Sequence, residues 1–108
     1  MAYQISNVIS LKAANAIEAK RFVSLSPNGL VHATASSQNV VGVTKDGVKA
    51  NEMAPVVIKG VVEISAANLP NIGDIVKVNT DGKADTTGLT TKAICVGIVD
   101  SQTIEVLL

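Results

Sequence analysis

The sequence predicts an all-β fold, a small β-barrel or β-sandwich built from two pseudo-repeated halves with short crossover loops. Three observations predict it. The apolar content is made almost wholly of Val, Ile, Leu and Ala in short runs; one strand pattern occurs twice; and an Asn-Gly and an Asp-Gly turn stand at equivalent places in the two copies. β-Branched side chains lose χ1 freedom in helices and pack well on a pleated surface, so this composition favours sheet. At 108 residues the chain has the size of one domain, residues 1–108, able to bury roughly two-thirds of its unfolded surface.

The repeat emerges when the chain is laid over itself with Val8 on Val61. Val8-Ile9-Ser10-Leu11-Lys12-Ala13-Ala14-Asn15 then covers Val61-Val62-Glu63-Ile64-Ser65-Ala66-Ala67-Asn68, with Val8, Ala13, Ala14 and Asn15 identical in the second copy. Phe22-Val23-Ser24-Leu25 falls on Ile75-Val76-Lys77-Val78, and Pro27-Asn28-Gly29 falls on Thr80-Asp81-Gly82. After a two-residue insertion Val41-Gly42-Val43 matches Val96-Gly97-Ile98. The pseudo-repeats are placed at about 1–53 and 54–108.

Each half opens on an alternating strand, near 5–12 in the first copy and 55–65 in the second. The segments 13–20 and 66–72 are crossover loops, since Pro70 opposes more than one helical turn. Strands at 21–26 and 29–35, mirrored by 74–79 and 82–87, meet at Asn28-Gly29 and Asp81-Gly82, residues that tolerate the positive φ of a tight hairpin turn. Tracts 34–38 and 86–91, rich in Thr and Ser, are surface connections. The last strand of each half spans 40–45 or 93–100; Gly42 and Gly97 inside it mark a bulge or a close backbone approach.

Nine acidic and nine basic residues cancel, with Lys20-Arg21 the longest basic run. Nucleic-acid binding needs clustered cations or exposed aromatics, and the only aromatics are Tyr3 and Phe22, so no nucleic-acid partner is expected. No stretch approaches the ~20 apolar residues of a membrane span and no secretory signal pattern opens the chain, so a soluble protein made in the cytoplasm, with no membrane partner, is expected.

Catalysis needs a nucleophile with a base, a carboxylate pair or a metal-ligand set. His32, the single histidine, falls in an alternating stretch that places it facing solvent. Cys95, the single cysteine, lies in the apolar run Ala93 to Val99, where burial makes a thiol inert. Asn79-Thr80-Asp81-Gly82 with Asp85 fails as a calcium loop: with Gly82 at the sixth position, Lys77 stands at the first ligand and Gly88 at the bidentate one. Gly42-Val43-Thr44-Lys45-Asp46-Gly47 lacks the spacing of a phosphate loop. The sequence therefore reads as a non-enzyme with no catalytic residue, metal or cofactor.

The chain resembles the small capsid decoration, or cement, proteins of tailed bacteriophages. The likeness is carried by Ala16-Ile17-Glu18-Ala19-Lys20-Arg21-Phe22-Val23, Val41-Gly42-Val43-Thr44, the stretch from Glu52 to Val62, Gly73-Asp74-Ile75-Val76 leading into Asp81-Gly82, and Val96-Gly97-Ile98. One departure is Lys20, where the family often has a glycine. The resemblance implies a protein on the outer surface of the phage head that binds the major capsid protein and stabilises its contacts, as a homo-oligomer, a homotrimer favoured over a dimer. Residues Ala2, Tyr3, Gln4, Ile5 and Ser6 precede the repeated core and are the expected capsid-binding segment, adding as a strand to a sheet edge. The rival reading is a virion-surface carbohydrate-binding module. It is weakened by the scarcity of flat aromatic faces, for which only Tyr3 and Phe22 are available.

Overall fold

The residues described by the computed structural model, 7–37 and 39–108, form ten strands. They are β1 (Asn7–Lys12), β2 (Phe22–Ser26), β3 (Gly29–His32), β4 (Gly42–Thr44), β5 (Met53–Lys59), β6 (Val61–Ser65), β7 (Ile75–Val78), β8 (Ala84–Asp85), β9 (Leu89–Asp100) and β10 (Thr103–Leu107). Period-two alternation is clearest in β7, β9 and β10. No helix occurs among the described residues. The strands form two five-stranded antiparallel sheets, ordered β1-β5-β4-β2-β3 and β6-β10-β9-β7-β8. Adding five to every label of the first order gives the second, so the two halves share one topology.

The Ala-Ala step of the repeat has a structural reason. In each half the chain leaves its first strand there and turns across to the opposite edge of the same sheet. The Ala13 amide donates to the Glu52 carbonyl at 2.9 Å and the Ala14 amide to the Leu30 carbonyl at 2.9 Å. In the second half the Ala66 amide donates to Gln102 and the Ala67 amide to Ala84, both at 2.8 Å. Parallel bridges Ala13–Leu30 and Ala66–Ala84 result. Each sheet is thus rolled until its two edges touch at one bridge without closing by a full ladder. Ala13 and Ala66 are both buried at this contact, where a longer side chain would force the edges apart.

Several elements differ from the sequence expectation. The strand expected over 55–65 is two strands in different sheets, because Gly60 takes φ +106° and breaks the extended run. The first hairpin turns at Pro27-Asn28, with Ser26 opposite Gly29. Proline presets φ for the second position of such a turn, and the positive φ (+126°) falls on Gly29. In the second hairpin Asp81 (φ +54°) and Gly82 (φ +69°) are both left-handed, as a type I′ turn requires. β9 begins at Leu89, within the tract expected to be a connection, because Thr91 turns inward and donates its hydroxyl to the Val76 carbonyl at 2.6 Å. Gly42 and Gly97 mark close approaches: a Cβ on Gly42 would lie 2.3 Å from the Val57 carbonyl oxygen. The β9–β10 register shifts beside Gly97, leaving Val96 unpaired as a bulge.

The halves are joined by backbone and by core. The Phe22 amide donates to the Gly82 carbonyl at 2.7 Å, and the Gly82 amide donates to the Ala33 carbonyl at 2.8 Å. Arg21 Nη1 donates to the Asp81 carbonyl at 2.9 Å, so the Asp81-Gly82 turn is held by the first half. Beneath it Phe22, Ala33 and Val43 pack with Ile64, Val76, Val78, Cys95, Ile104 and Val106 in one buried cluster. A second cluster, Ala13, Ile17, Val23, Leu30, Ala54 and Val56, belongs to the first sheet and its crossover alone, β5 of that sheet lying beyond the repeat boundary expected near residue 53. Adjacent Phe22 and Val23 feed different clusters because successive strand side chains point to opposite faces.

Lys20 takes φ +59°, the left-handed conformation that costs a non-glycine residue roughly 1–2 kcal/mol. Its amide donates to the Thr44 carbonyl at 2.9 Å, and its carbonyl accepts the Ser65 amide at 2.9 Å. These two bonds hold the conformation, which glycine would adopt without strain. The Lys20–Glu63 ion pair at 3.1 Å is half-exposed and offsets little of the strain.

Three outcomes follow for unfolding measured by urea titration. Gly82→Ala loses about 2–4 kcal/mol, because it combines positive φ with a steric clash: a Cβ there would lie 2.3 Å from the Phe22 carbonyl oxygen. Gly73→Ala, at φ +96° with nothing within 4 Å of the added atom, loses only about 1–2 kcal/mol. Lys20→Gly unfolds at equal or higher urea, gaining up to about 1 kcal/mol; a clear loss would show that the ion pair outweighs the backbone strain.

Candidate functional site

The outer face of the second sheet carries a row of exposed apolar side chains. Ile75 of β7 pairs with Ile94 of β9, Ile94 with Leu107 of β10, and Leu107 with Val61 of β6. Cross-strand partners point to the same side of a sheet, so these four form one row across four strands. Ile75, Ile94 and Leu107 are 55%, 37% and 42% exposed, while their neighbours Val76, Cys95 and Val106 are buried on the inner face. Alternation along β9 continues the outer face through Lys92 and Thr90, both exposed. Sequence reading missed this row. Its signal was present in β9, where Ile94 and Val96 stand at outward positions usually given to polar residues, but the cross-strand register needed to join them to Ile75 and Leu107 is a tertiary fact.

The residues expected to bind the capsid, Ala2, Tyr3, Gln4, Ile5 and Ser6, lie outside the described residues. Phe22, considered above as a sugar platform, is fully buried, which removes it from any binding surface. Its position under the Asp81-Gly82 turn is the reason. Cys95 is buried in β9. His32 corrects the solvent-facing expectation: it is half-buried, and its Nε2 accepts the Glu18 amide at 3.0 Å. The crossover loop folds back over β3, which a period-two pattern cannot reveal.

Asp85 is a buried carboxylate. Burial pushes its carboxyl up, but hydrogen bonds from Asn68 Nδ2 (3.1 Å), the Thr86 amide (2.7 Å) and the Thr87 amide (3.4 Å) outweigh it and hold the group below its ordinary value. The carboxylate thereby pins the loop from β8 to β9. Among the described residues no group of three His, Cys, Asp or Glu side chains is placed to hold a metal ion, and no helix is long and apolar enough to cross a membrane.

The fold is thus two rolled sheets welded at a turn, with polar side chains used to pin loops and apolar side chains set out on a sheet face. A family model of phage cement proteins matches residues 3–103. The chain belongs to the phage cement protein family and is an all-β structural protein of bacteriophage capsids. Among solved structures it is similar to the head fiber gp8.5 N base of bacteriophage phi29. That likeness has 17% sequence identity and a TM-score of 0.73, and covers 96% of this chain and 94% of that one. At this identity the likeness concerns the fold. No curated protein matches the chain in sequence.

The His32 contact makes stability depend on pH. Burial, and then the nearby Arg21 guanidinium, hold the imidazole below its ordinary value of 6.5, so the unfolded chain binds this proton more readily than the folded one. This contribution is complete above about pH 6.5 and is lost as pH falls through the folded-state value. Thermal melts should show Tm falling between pH 7 and pH 5, with a shallower fall in His32→Gln; equal slopes in the two proteins would refute the assignment.

Proposed function

We propose that this chain is a decoration protein that binds the outer surface of the assembled phage head and stabilises contacts between major capsid protein subunits. The observation that carries the reading is the cement-family match across residues 3–103. The structural neighbour is described as the base of a head fiber, which supports a location on the head. The protein is made in the host cytoplasm and joins the virion as a homo-oligomer. Its work is thermodynamic. A ligand that binds the assembled lattice and not free subunits stabilises the lattice by RT ln(1 + [L]/Kd), about 2.7 kcal/mol per site at a hundredfold excess over Kd. A rigid β module suits this role, since little ordering entropy is spent on binding.

Residues Ala2 to Ser6 are the proposed capsid contact. They precede β1, an edge strand of its sheet, and an extended segment there can add to a sheet edge of the capsid protein through backbone hydrogen bonds. Deletion of residues 1–6 leaves the β1–β5 ladder, which begins at Asn7, and should give a folded protein that no longer sediments with assembled heads. Full co-sedimentation of the truncated protein would refute the contact. Heads carrying the intact protein should release DNA at higher temperature than bare heads; an unchanged release temperature at full occupancy would refute the stabilising role.

A further inference from the structure

Each sheet has two edges, and three of the four are met by other parts of the chain. The edge of β3 gives the Leu30 carbonyl to the Ala14 amide, and the edge of β8 gives the Ala84 carbonyl to the Ala67 amide. The outward side of β6 is met from the other sheet: the Ser65 amide donates to the Lys20 carbonyl at 2.9 Å, and Glu63 takes the Lys20 ammonium. β1 differs over most of its length. Its bridge to β3 joins Ala13 to Leu30 in parallel, so β3, which begins at Gly29, stops beside Lys12. From Val8 to Leu11 no strand among the described residues lies on that side.

Register decides which backbone groups are left over. The Ala13 amide donates to the Glu52 carbonyl, so Ala13 faces β5; by alternation Leu11 and Ile9 face it too, while Ser10 and Val8 face away. The opposite strand agrees. Pro55, the partner of Ser10, gives its carbonyl to the Lys45 amide and so is turned toward the end of β4. The amides and carbonyls of Val8 and Ser10 therefore point off the sheet and make no hydrogen bond among the described residues. Open edges are ordinarily blocked by proline, a bulge or an inward charge; β1 carries no such residue from Val8 to Leu11, and its register shift falls before Val8. Val8 and Ile9, on opposite faces, are 43% and 37% exposed, so a strand laid along this edge meets apolar side chains on both of its sides. The shift that lays Val8 on Val61 lays Ser10 on Glu63 and Lys12 on Ser65. The same edge is thus covered in the second half and open in the first.

We infer that the open edge of β1 takes an extended strand of the capsid protein, paired through the amides and carbonyls of Val8 and Ser10. Unpaired backbone on a sheet edge is completed by another extended backbone, which fixes the occupant as a strand. Continuity fixes the partner, because β1 directly follows residues 2–6, the proposed head contact. This pairing rests on the proposed capsid binding and extends it from that segment into the folded sheet. The ladder with β5 already holds Val8 and Ser10 extended, so the ordering cost of this part of the contact is met before the partner arrives.

The test is co-sedimentation of the full chain with assembled heads. Ser10→Pro removes an outward amide, a change tolerated on the free side of an edge strand. It should weaken head binding about tenfold or more, through one lost hydrogen bond and the ring's obstruction of the incoming strand. Ser10→Ala keeps the amide and should bind as the wild type does. Ile9→Pro removes an amide that serves the ladder with β5 and should melt well below Ser10→Pro; equal melting temperatures overturn the register and the inference with it. Without any substitution, deuterium exchange in the wild-type β1 peptide should slow when the protein sits on heads. Full binding by a folded Ser10→Pro overturns the inference, as does an equal loss in Ser10→Ala or β1 exchange that heads leave unchanged. Self-association of the wild type that Ser10→Pro abolishes, with head binding retained, also overturns it and would give the edge to a second copy. Deletion of residues 1–6 keeps the two contacts apart. If the deletion abolishes binding while Ser10→Pro binds fully, the contact at residues 2–6 stands and the β1 pairing falls; if the deletion binds and Ser10→Pro does not, the β1 pairing stands and the other falls.

Discussion

One backbone turn holds the molecule together. The Asp81-Gly82 turn of the second half lies across the start of β2, where the Gly82 carbonyl and amide are both satisfied by first-half groups, Phe22 and Ala33. The hydrogen bonds require the two chains to approach within the space a Cβ would fill, so glycine is imposed here by distance as well as by φ. Everything beneath depends on that approach. Phe22 seals a core drawn from both sheets, and Arg21 is held by the Asp81 carbonyl and by Glu18. Without the turn, each half would expose one side of a thin sheet.

The two copies keep the same topology and divide their chemistry. The shift that carries Val8 to Val61 carries His32 to Asp85, and both residues accept backbone amides that fix a neighbouring loop: Glu18 in one case, Thr86 in the other. The loops differ, so the acceptor differs. The same shift carries Lys20 to Gly73, and both take positive φ, but only Lys20 has a side chain that reaches across to Glu63 on the second sheet. Duplication supplied two equal sheets, and contact between them then set unequal demands on equivalent positions.

Reinforcing a shell, the role proposed for this protein, calls for surface, stiffness and copies more than for reactive groups. The polar side chains buried here, Ser24, Thr44, Asp85 and Thr91, serve backbone or neighbouring hydroxyl groups inside the fold. Exposed Ile and Val residues are concentrated on β9 and the strands beside it, where no layer among the described residues covers the sheet. A contact protein places its apolar surface outside in this way, at the cost of solubility unless that face is covered.

By itself the sequence determined the strand-rich class, the duplication and the hairpin at Asp81-Gly82. These are local properties, written in β-branched composition, period-two alternation and turn residues that tolerate positive φ. The cement-family likeness was legible for the same reason, since its marks are ordered strands and turns. Tertiary structure alone decided that residues 55–65 split at Gly60 between two sheets, that Thr91 faces inward, and that His32 is an acceptor under a folded-back loop. It also decided the face formed by Ile75, Ile94, Leu107 and Val61. Those residues lie far apart in the chain, and only hydrogen-bonded register sets which of them stand side by side.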